Sequence, residues 1–368
     1  MNPKNRPASP ITLSTGLSTE LPAACRVSII IKALNEEKRI CATIESALRA
    51  VAKVGGEVVL ADSCSTDGTV ELAIKYPIRI VQLAHAKERC CGAGPQLGYQ
   101  HSLGEFIYIL DGDMLMLDGF LEYALDFMKK HEDVAGVGGQ VVEQNKDSLE
   151  YLARGERRSS HQLAGDVDRL DGGGLYRRTA IEAAGYFSDR NLHSYEEFDL
   201  ATRLRTLHWR LWRLPINVAH HFGHNAPPYY LLVGRWRSRY ICGLGELVRT
   251  AVSHNRLPMV VRGLRELRLY IAVLAWWAVL VSVPLWSSSF SEGLTTFCVL
   301  LTAPLILMTY RKRSFTKALY SVVSWCFNAA GMVRGLLLTH RPAHEAISSR
   351  VIQEPTASGK PCVASSTT

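Results

Sequence analysis

The sequence predicts an α/β fold: a mostly parallel, doubly wound sheet with helices on both faces, followed by basic amphipathic helices and a C-terminal helical hairpin in a membrane. Three observations carry this. Short apolar, β-prone runs at 26–32 (RVSIIIK), 57–61, 78–83 and 106–110 are separated by amphipathic or turn-rich segments, the alternation that builds parallel sheets. Polar and acidic residues stand at the carboxyl ends of three of these runs, where open α/β sheets bind ligands. Beyond residue 268 the chain becomes almost wholly apolar in stretches close to bilayer-spanning length.

Taken in order, residues 1–25 are rich in Pro, Ser and Thr, contain no apolar core of signal-peptide length, and are expected to form a disordered leader. After the first run, Ile40, Ile44, Ala47, Leu48 and Val51 share one face of a crossover helix. The second run ends in Asp62-Ser63-Cys64-Ser65-Thr66-Asp67-Gly68-Thr69, a turn in which Asp67 caps the next helix. A stretch interrupted by Gly92, Gly94, Pro95 and Gly98 leads to the fourth run, which is apolar without a break, as a strand buried on both faces requires.

That fourth strand ends in Asp111-Gly112-Asp113. Two carboxylates on one sharp bend repel unless a cation lies between them, so the pair suggests a divalent metal holding a phosphorylated ligand; the plain alternative is a polar turn. Asn35 and Glu36, Asp62, and Asp111 with Asp113 then converge on one sheet edge. No glycine fingerprint follows the first strand and no Walker phosphate loop occurs, which argues against a dehydrogenase or a P-loop enzyme. Further on, Asp171-Gly172-Gly173-Gly174 offers backbone without side chains, suited to close approach by a sugar or to a flexible turn. Glu196-Glu197 open a helix with Leu200, Leu204 and Leu207 on one face, and His220-His221 end a strand at 211–218.

The series SIIIKALNEE, VVLADSCSTDGT, GPQLGYQHSLGEFIYILDGDM and DGGGLYRRTAIEAAGYFSDRNLHSYEEFDLATRLR resembles the family 2 glycosyltransferases of the GT-A fold, over about residues 26–225. The resemblance implies a nucleotide pocket lined by Asn35, Glu36 and Asp62, with Asp62 facing the base. It implies that Asp111 and Asp113 hold a sugar nucleotide through Mg²⁺ or Mn²⁺, with Gly173 and Gly174 beside the sugar and His220 or His221 as a late ligand. It implies that the acidic pair, Glu197 with Glu196, supplies the catalytic base. The chain departs from the family at three places. Asp62-Ser63-Cys64 stands where Asp-Asp-Gly or Asp-Ser-Gly is common, Pro95-Gln96 where Arg-Asn is common, and Glu-Glu where Glu-Asp is usual. Lys87 or Arg89 is the candidate to replace the missing arginine.

The formal charge is +8, and much of the excess lies at 235–268, where eight arginines alternate with Trp236, Tyr240 and aliphatic residues. Basic amphipathic helices beside the most apolar part of the chain fit a membrane surface and not a nucleic acid. Spans are expected at about 269–286 and 294–310, with a third apolar stretch at 318–338 compromised by Asn328 and Arg334, and a disordered tail at 340–368. Arginines before the first span and Arg311-Lys312-Arg313 after the second put both ends of the hairpin in the cytosol. The nine cysteines include no CxxC and read as reduced thiols. The expectation is a metal-dependent, inverting transfer of sugar from a nucleotide-sugar, a UDP-sugar first, to a lipid-linked or glycan acceptor in envelope or extracellular polysaccharide assembly, at the cytoplasmic face of the inner membrane. A polyprenyl-phosphate glycosyltransferase is the alternative enzyme, although the acidic-proline run usual there is replaced by Met114-Leu115-Met116-Leu117-Asp118. A non-catalytic membrane scaffold on the same fold is the alternative of another class.

Overall fold

The structure is a computed structural model and describes residues 26–145, 160–223 and 227–355. The expected leader, 1–25, and the end of the expected tail, 356–368, lie outside the described residues.

Strand β1 (Val27–Ala33) sits centrally, flanked in parallel by β2 (Gly56–Asp62) and later by β4 (Phe106–Asp111). Helix α1 (Ile40–Val54) crosses between β1 and β2 and buries Ile40, Ile44, Ala47 and Val51, the face expected from spacing. The one-turn α2 (Thr69–Ala73) leads to β3 (Arg79–Leu83), parallel to β2. Helix α3 (Ala93–Gln100) packs across β1 at Gly98, where an added Cβ would lie 2.1 Å from Ile30 Cγ2. Its glycines thus permit contact between helix and strand that a side chain would prevent.

Past β4 the sheet changes character. Short β5 (Met114–Met116), helix α4 (Phe120–Lys130), β6 (Val134–Glu143), β7 (Gly165–Val167), β8 (Leu175–Arg177), helices α5 (Arg178–Ala183) and α6 (Glu196–Thr206), and β9 (Arg210–His221) follow. β8 runs antiparallel to both β4 and β6, β9 is parallel to β6, and β5 and β7 run antiparallel to β9. The sheet is therefore mixed: β3-β2-β1-β4 and the β6–β9 pair are parallel as expected, and the remaining pairings are antiparallel. The reason is physical: β5, β7 and β8 are three residues long, too short for any periodicity to announce them. Leu207, expected on the apolar face of α6, falls beyond that helix and is exposed.

The C-terminal third is helical: α7 (Pro228–Arg237), α8 (Gly243–Ser253), α9 (Leu257–Gly263), α10 (Arg265–Trp286), α11 (Phe290–Lys312) and α12 (Phe315–Leu337). α10 and α11 are long and apolar enough to cross a membrane. At 22 and 23 residues they exceed the windows expected from composition, and each measures about 33 Å, enough for a bilayer core. The third apolar stretch, α12, packs against α10 and α11 but also against α7 and α8. Tyr229 of α7 meets Tyr320 edge-on, and Trp236 meets Phe327. Polar Arg334 donates to the Trp236 carbonyl, so α12 lies between the hairpin helices and α7 and α8.

The tail corrects the sequence reading. Residues expected to be disordered from 340 onward instead run back along the sheet domain, and β10 (Ser349–Gln353) pairs antiparallel with β3. Gln353 Nε2 donates to the carbonyls of Tyr76 and Ile78, and Glu354 pairs with Arg79. The strand covers what would otherwise be an open β3 edge, and its own signal is only the short β-branched pair Val351-Ile352.

The seating of α3 on β1 is testable. Gly98→Val should lower the unfolding free energy by about 1–3 kcal/mol through overpacking, seen as an earlier thermal melt of the detergent-solubilised protein. An unchanged melt would mean that α3 does not rest on Ile30.

Candidate active site

The carboxyl ends of β1, β2 and β4 form one crevice because their registers align: Ala33 lies opposite Asp62, and Lys32 opposite Asp111. The expected nucleotide residues are gathered at its β2 side. Asn35, in the left-handed region at φ 61, accepts from Thr66 N at 2.7 Å, and its own N–H donates to Ser65 Oγ at 2.9 Å. Glu36 N donates to Thr69 Oγ1 at 2.8 Å. Asp62 is fully buried, and its carboxylate accepts from Ser65 N (3.0 Å), Ser65 Oγ (2.5 Å) and Gln82 Nε2 (2.8 Å). Expected to face a base, Asp62 instead braces the loop that shapes the pocket, as a buried carboxylate must be hydrogen-bonded. Arg89 donates to the Cys64 carbonyl in the same loop, whereas Lys87 is exposed. Gln96, at the position usually Asn, is buried and accepts from Phe187 N and Ser188 N at 3.0 and 2.9 Å.

At the end of β4 the two aspartates have different partners. Asp111 pairs with Lys32 at 2.9 Å, and the same ammonium lies 3.5 Å from Glu196. Burial opposes the charge on Lys32, but Asp111, Glu196 and Glu197 outweigh it and hold its pKa well above the ordinary value. Sequence reasoning passed over Lys32, although a cation ending an otherwise apolar central strand is a signal that it faces a ligand crevice. Asp113 is 8 % exposed and lies 3.3 Å from His221 Nε2; the other imidazole nitrogen bonds Glu143 at the end of β6. Burial again opposes protonation of His221, and the two carboxylates outweigh it, raising its pKa to about 9. Of the two histidines, His220 projects to the other face of the strand, as alternation demands, and bonds Gln144 at 2.7 Å. It is not placed with Asp113. Glu143 is the partner that the sequence did not reveal, being 78 residues from His221.

No cluster of three or more potential ligands forms a ready cage among the described residues. The donor set still fits a hard divalent ion. Asp113 and His221 face each other with Glu143 behind the imidazole, the arrangement of a ligand pair with an outer carboxylate, and Mg²⁺ is commonly held by one or two carboxylates plus substrate phosphates.

The acidic pair opens α6 directly after Tyr195, a non-glycine residue at φ 68. Glu197 accepts from Gly173 N at 3.3 Å. At Gly173, φ is 96° and an added Cβ would lie 2.6 Å from the Ile109 carbonyl, so only glycine fits. Gly174, expected beside the sugar, is buried under Leu170 and Tyr176 and serves packing. Asp171 anchors this loop, bound by Arg213 at 2.7 Å and His161 at 3.0 Å. Burial pushes the Glu197 carboxyl up to about 8, with Lys32 drawing it down and Glu196, Asp171 and Asp111 pushing it further up. Glu196, Glu197, Lys32, Ser188, Pro95 and Gly173 line one pocket. The remaining carboxylate of the helix start, Asp199, is buried between Arg203 (2.8 Å) and Arg256 (3.1 Å) and faces structure rather than the crevice.

Comparison with known proteins bears on this geometry. The sequence model of the family described as Glycosyl transferase family 2 matches residues 28–185. EpsE of Bacillus subtilis, named as a glycosyltransferase, is 31 % identical over 138 residues, covering 36 % of this chain and 47 % of EpsE. The poly(ribitol-phosphate) β-N-acetylglucosaminyltransferase TarS of Staphylococcus aureus is 28 % identical over 130 residues, covering 33 % of this chain and 23 % of TarS. The chain thus spans less than half the length of these curated relatives. Among solved structures, the mannosyltransferase PcManGT from Pyrobaculum calidifontis, in complex with GDP-Man and Mn²⁺, superposes with TM-score 0.55 at 18 % identity over 86 % of this chain and 88 % of that one, a likeness of fold. Residues 28–185, which hold the Asn35, Asp62, Asp111 and Asp113 strand ends on a GT-A-like sheet, thus match the model of a family 2 glycosyltransferase domain.

Proposed function

We propose that the protein transfers a sugar from a nucleotide-sugar, with inversion, to a lipid-linked or glycan acceptor at the cytoplasmic face of a membrane. The observation that carries this reading is the Lys32 bridge: one ammonium touches Asp111, at the donor side of the crevice, and Glu196, beside a carboxylate lifted into the range of a general base. A UDP-sugar is the first donor to test. The setting is envelope or extracellular polysaccharide assembly.

In this reading the loop braced by Asp62, with Asn35 and Glu36, receives the nucleoside. Asp113 and His221 hold a divalent ion, Mg²⁺ or Mn²⁺, with Asp111 beside them. When bound, that ion neutralises charge on the departing diphosphate. Lys32 is a second, fixed cation at the same edge. Glu197, ionised, takes the proton from an acceptor hydroxyl as its oxygen attacks the anomeric carbon from the face opposite the diphosphate. Gly173 N orients the Glu197 carboxylate, and the absent side chain leaves room for the sugar. The α10–α11 hairpin and the basic helices before it keep this crevice beside a membrane-borne acceptor, so the encounter is confined to a surface. The pairing of β10 with β3 supports the same topology, because it keeps Ser349–Gln353 on the side of the sheet domain.

Glu197→Gln keeps shape and removes proton acceptance; turnover should fall by about a hundredfold or more with donor affinity retained, and Glu196→Gln should be milder. Equal loss of donor binding and turnover would move the base elsewhere. Because the ionised carboxylate is the active form and its pKa is raised, kcat/KM should climb as pH rises toward about 8, and a flat profile across pH 6–9 would contradict the assignment. Asp113→Asn should abolish Mn²⁺- or Mg²⁺-dependent binding of a nucleoside diphosphate in calorimetry, and unchanged metal-dependent affinity would remove Asp113 from the ligand set. For topology, a cysteine at Ser288 should react with an impermeant reagent from outside while one at Ser314 does not; the reverse pattern would overturn the orientation.

A further inference from the structure

The acidic pair sits just after a turn, 186–195, that lies beyond the family-matched residues and is held from two directions. Its first part belongs to the sheet domain. Gln96 receives Phe187 and Ser188, Gly92 N donates to the Leu192 carbonyl at 2.9 Å, and Cys90 Sγ donates to the Arg190 carbonyl. Its last three residues are held otherwise. His193 donates from its backbone N to Glu246 Oε2 at 2.9 Å, and its Nδ1 lies 2.8 Å from Glu246 Oε1. Ser194 Oγ donates to the Tyr240 carbonyl at 2.9 Å, and Tyr195 OH reaches Glu266 at 3.3 Å. Every one of these partners comes from residues 240–266, the start of the helical region that carries the membrane hairpin.

Glu246 is 2 % exposed and sits in the first turn of α8. A carboxylate in that position is costly to bury, and here both of its oxygens are matched by one residue, His193. α8 in turn cannot shift freely. An added Cβ at Gly243 would lie 2.1 Å from Ser194 Oγ, one at Gly245 would lie 1.9 Å from the Met332 carbonyl of α12, and one at Gly335 of α12 would lie 2.0 Å from the Cys242 carbonyl. The turn, α8 and α12 are therefore in backbone contact. The left-handed Tyr195, which aims Glu196 and Glu197 into the crevice, carries a backbone cost of about 1 kcal/mol or more that surrounding contacts must hold in place.

We infer that Glu246 is a positioning residue for the acidic pair: by clamping the backbone N–H and Nδ1 of His193, it fixes the left-handed turn at Tyr195 and sets the direction of Glu197 from the membrane-proximal helices. This rests on the reading of Glu197 as the base. It makes catalytic geometry depend on α8 being seated between the sheet domain and α12, and it assigns a purpose to a buried carboxylate that the transfer chemistry itself does not use.

The full chain, in detergent or nanodiscs, decides this with three readouts: turnover of donor, calorimetric donor affinity, and amide exchange at 193–200. Glu246→Leu removes both acceptors at nearly constant volume. Turnover should fall about tenfold or more, since displacement on the order of 1 Å costs that much, while donor affinity stays within about twofold and the 193–197 amides lose protection. Glu246→Gln keeps one acceptor for His193 N and can donate to Nδ1 of the other tautomer, so it should recover most of the loss. Native protection and turnover in Glu246→Leu would overturn the inference, and so would a Glu246→Gln variant as damaged as Glu246→Leu. Should Glu246→Leu fail to fold, His193→Ala, which retains the backbone bond, should show the same exchange pattern at smaller amplitude; native protection there overturns it equally. A wild-type protein that turns over no donor would sink the reading of Glu197, while the exchange pattern, needing no substrate, still decides the role of Glu246.

Discussion

Carboxylate crowding is the constraint on which this structure turns. Asp111, Asp113, Glu143, Asp171, Glu196 and Glu197 all gather around the carboxyl edge of one sheet, and like charges at such distances cannot remain ionised unaided. The chain answers with a few placed cations. Lys32 stands between Asp111 and Glu196, Arg213 and His161 hold Asp171, and His221 stands between Asp113 and Glu143. The compensation is uneven, and Glu197 shows it: its carboxyl is raised to about 8. In the proposed mechanism, the raised carboxyl at one end is the proton acceptor, and the carboxylate facing an imidazole at the other would seat an ion that offsets phosphate charge.

The second organising feature is that the sheet domain does not complete the candidate site by itself. The sheet presents the loops after β1 and β2 and the paired aspartates after β4, whose packing is local to that layer. The acidic pair is aimed by a turn whose final residues bond to 240–266, and Asp199, one turn further into α6, is paired with Arg256 from the same region. From α12 the chain then returns to the sheet: Arg190 bonds the carbonyls of Glu345 and Ala346, Asn191 exchanges bonds with Arg341, and β10 closes the β3 edge. Residues 240–266 and the tail thus bracket the turn before Glu196 from both sides.

What could be read in the sequence follows the range of the interactions involved. Runs buried on both faces, such as 106–110, and the helical spacing of α1 are local patterns, and both elements lie where the pattern put them. The Asp111-Gly112-Asp113 bend and the Glu196-Glu197 pair were visible because the chemistry is concentrated in adjacent residues. Lys32 went unnoticed because its meaning depends on Glu196, far along the chain, and Glu143 because it meets His221 only across the pairing of β6 and β9. The choice between His220 and His221 needed the strand's alternation, and Gly174 could be told from Gly173 only by what each would strike. β10 is the extreme case, a strand whose own signal is only Val351-Ile352 and which covers the β3 edge.

In the proposed reaction this crevice moves a sugar from a nucleotide to a hydroxyl by a single displacement. Its most direct test is the anomeric configuration of the product, followed by NMR during turnover of a nucleotide-sugar by the full chain in nanodiscs with a membrane-extracted acceptor. The account predicts release of a nucleoside diphosphate together with a glycoside of configuration opposite to the donor's. A product that retains the donor configuration, or the absence of diphosphate release across a panel of UDP-, GDP- and dTDP-sugars, would contradict it.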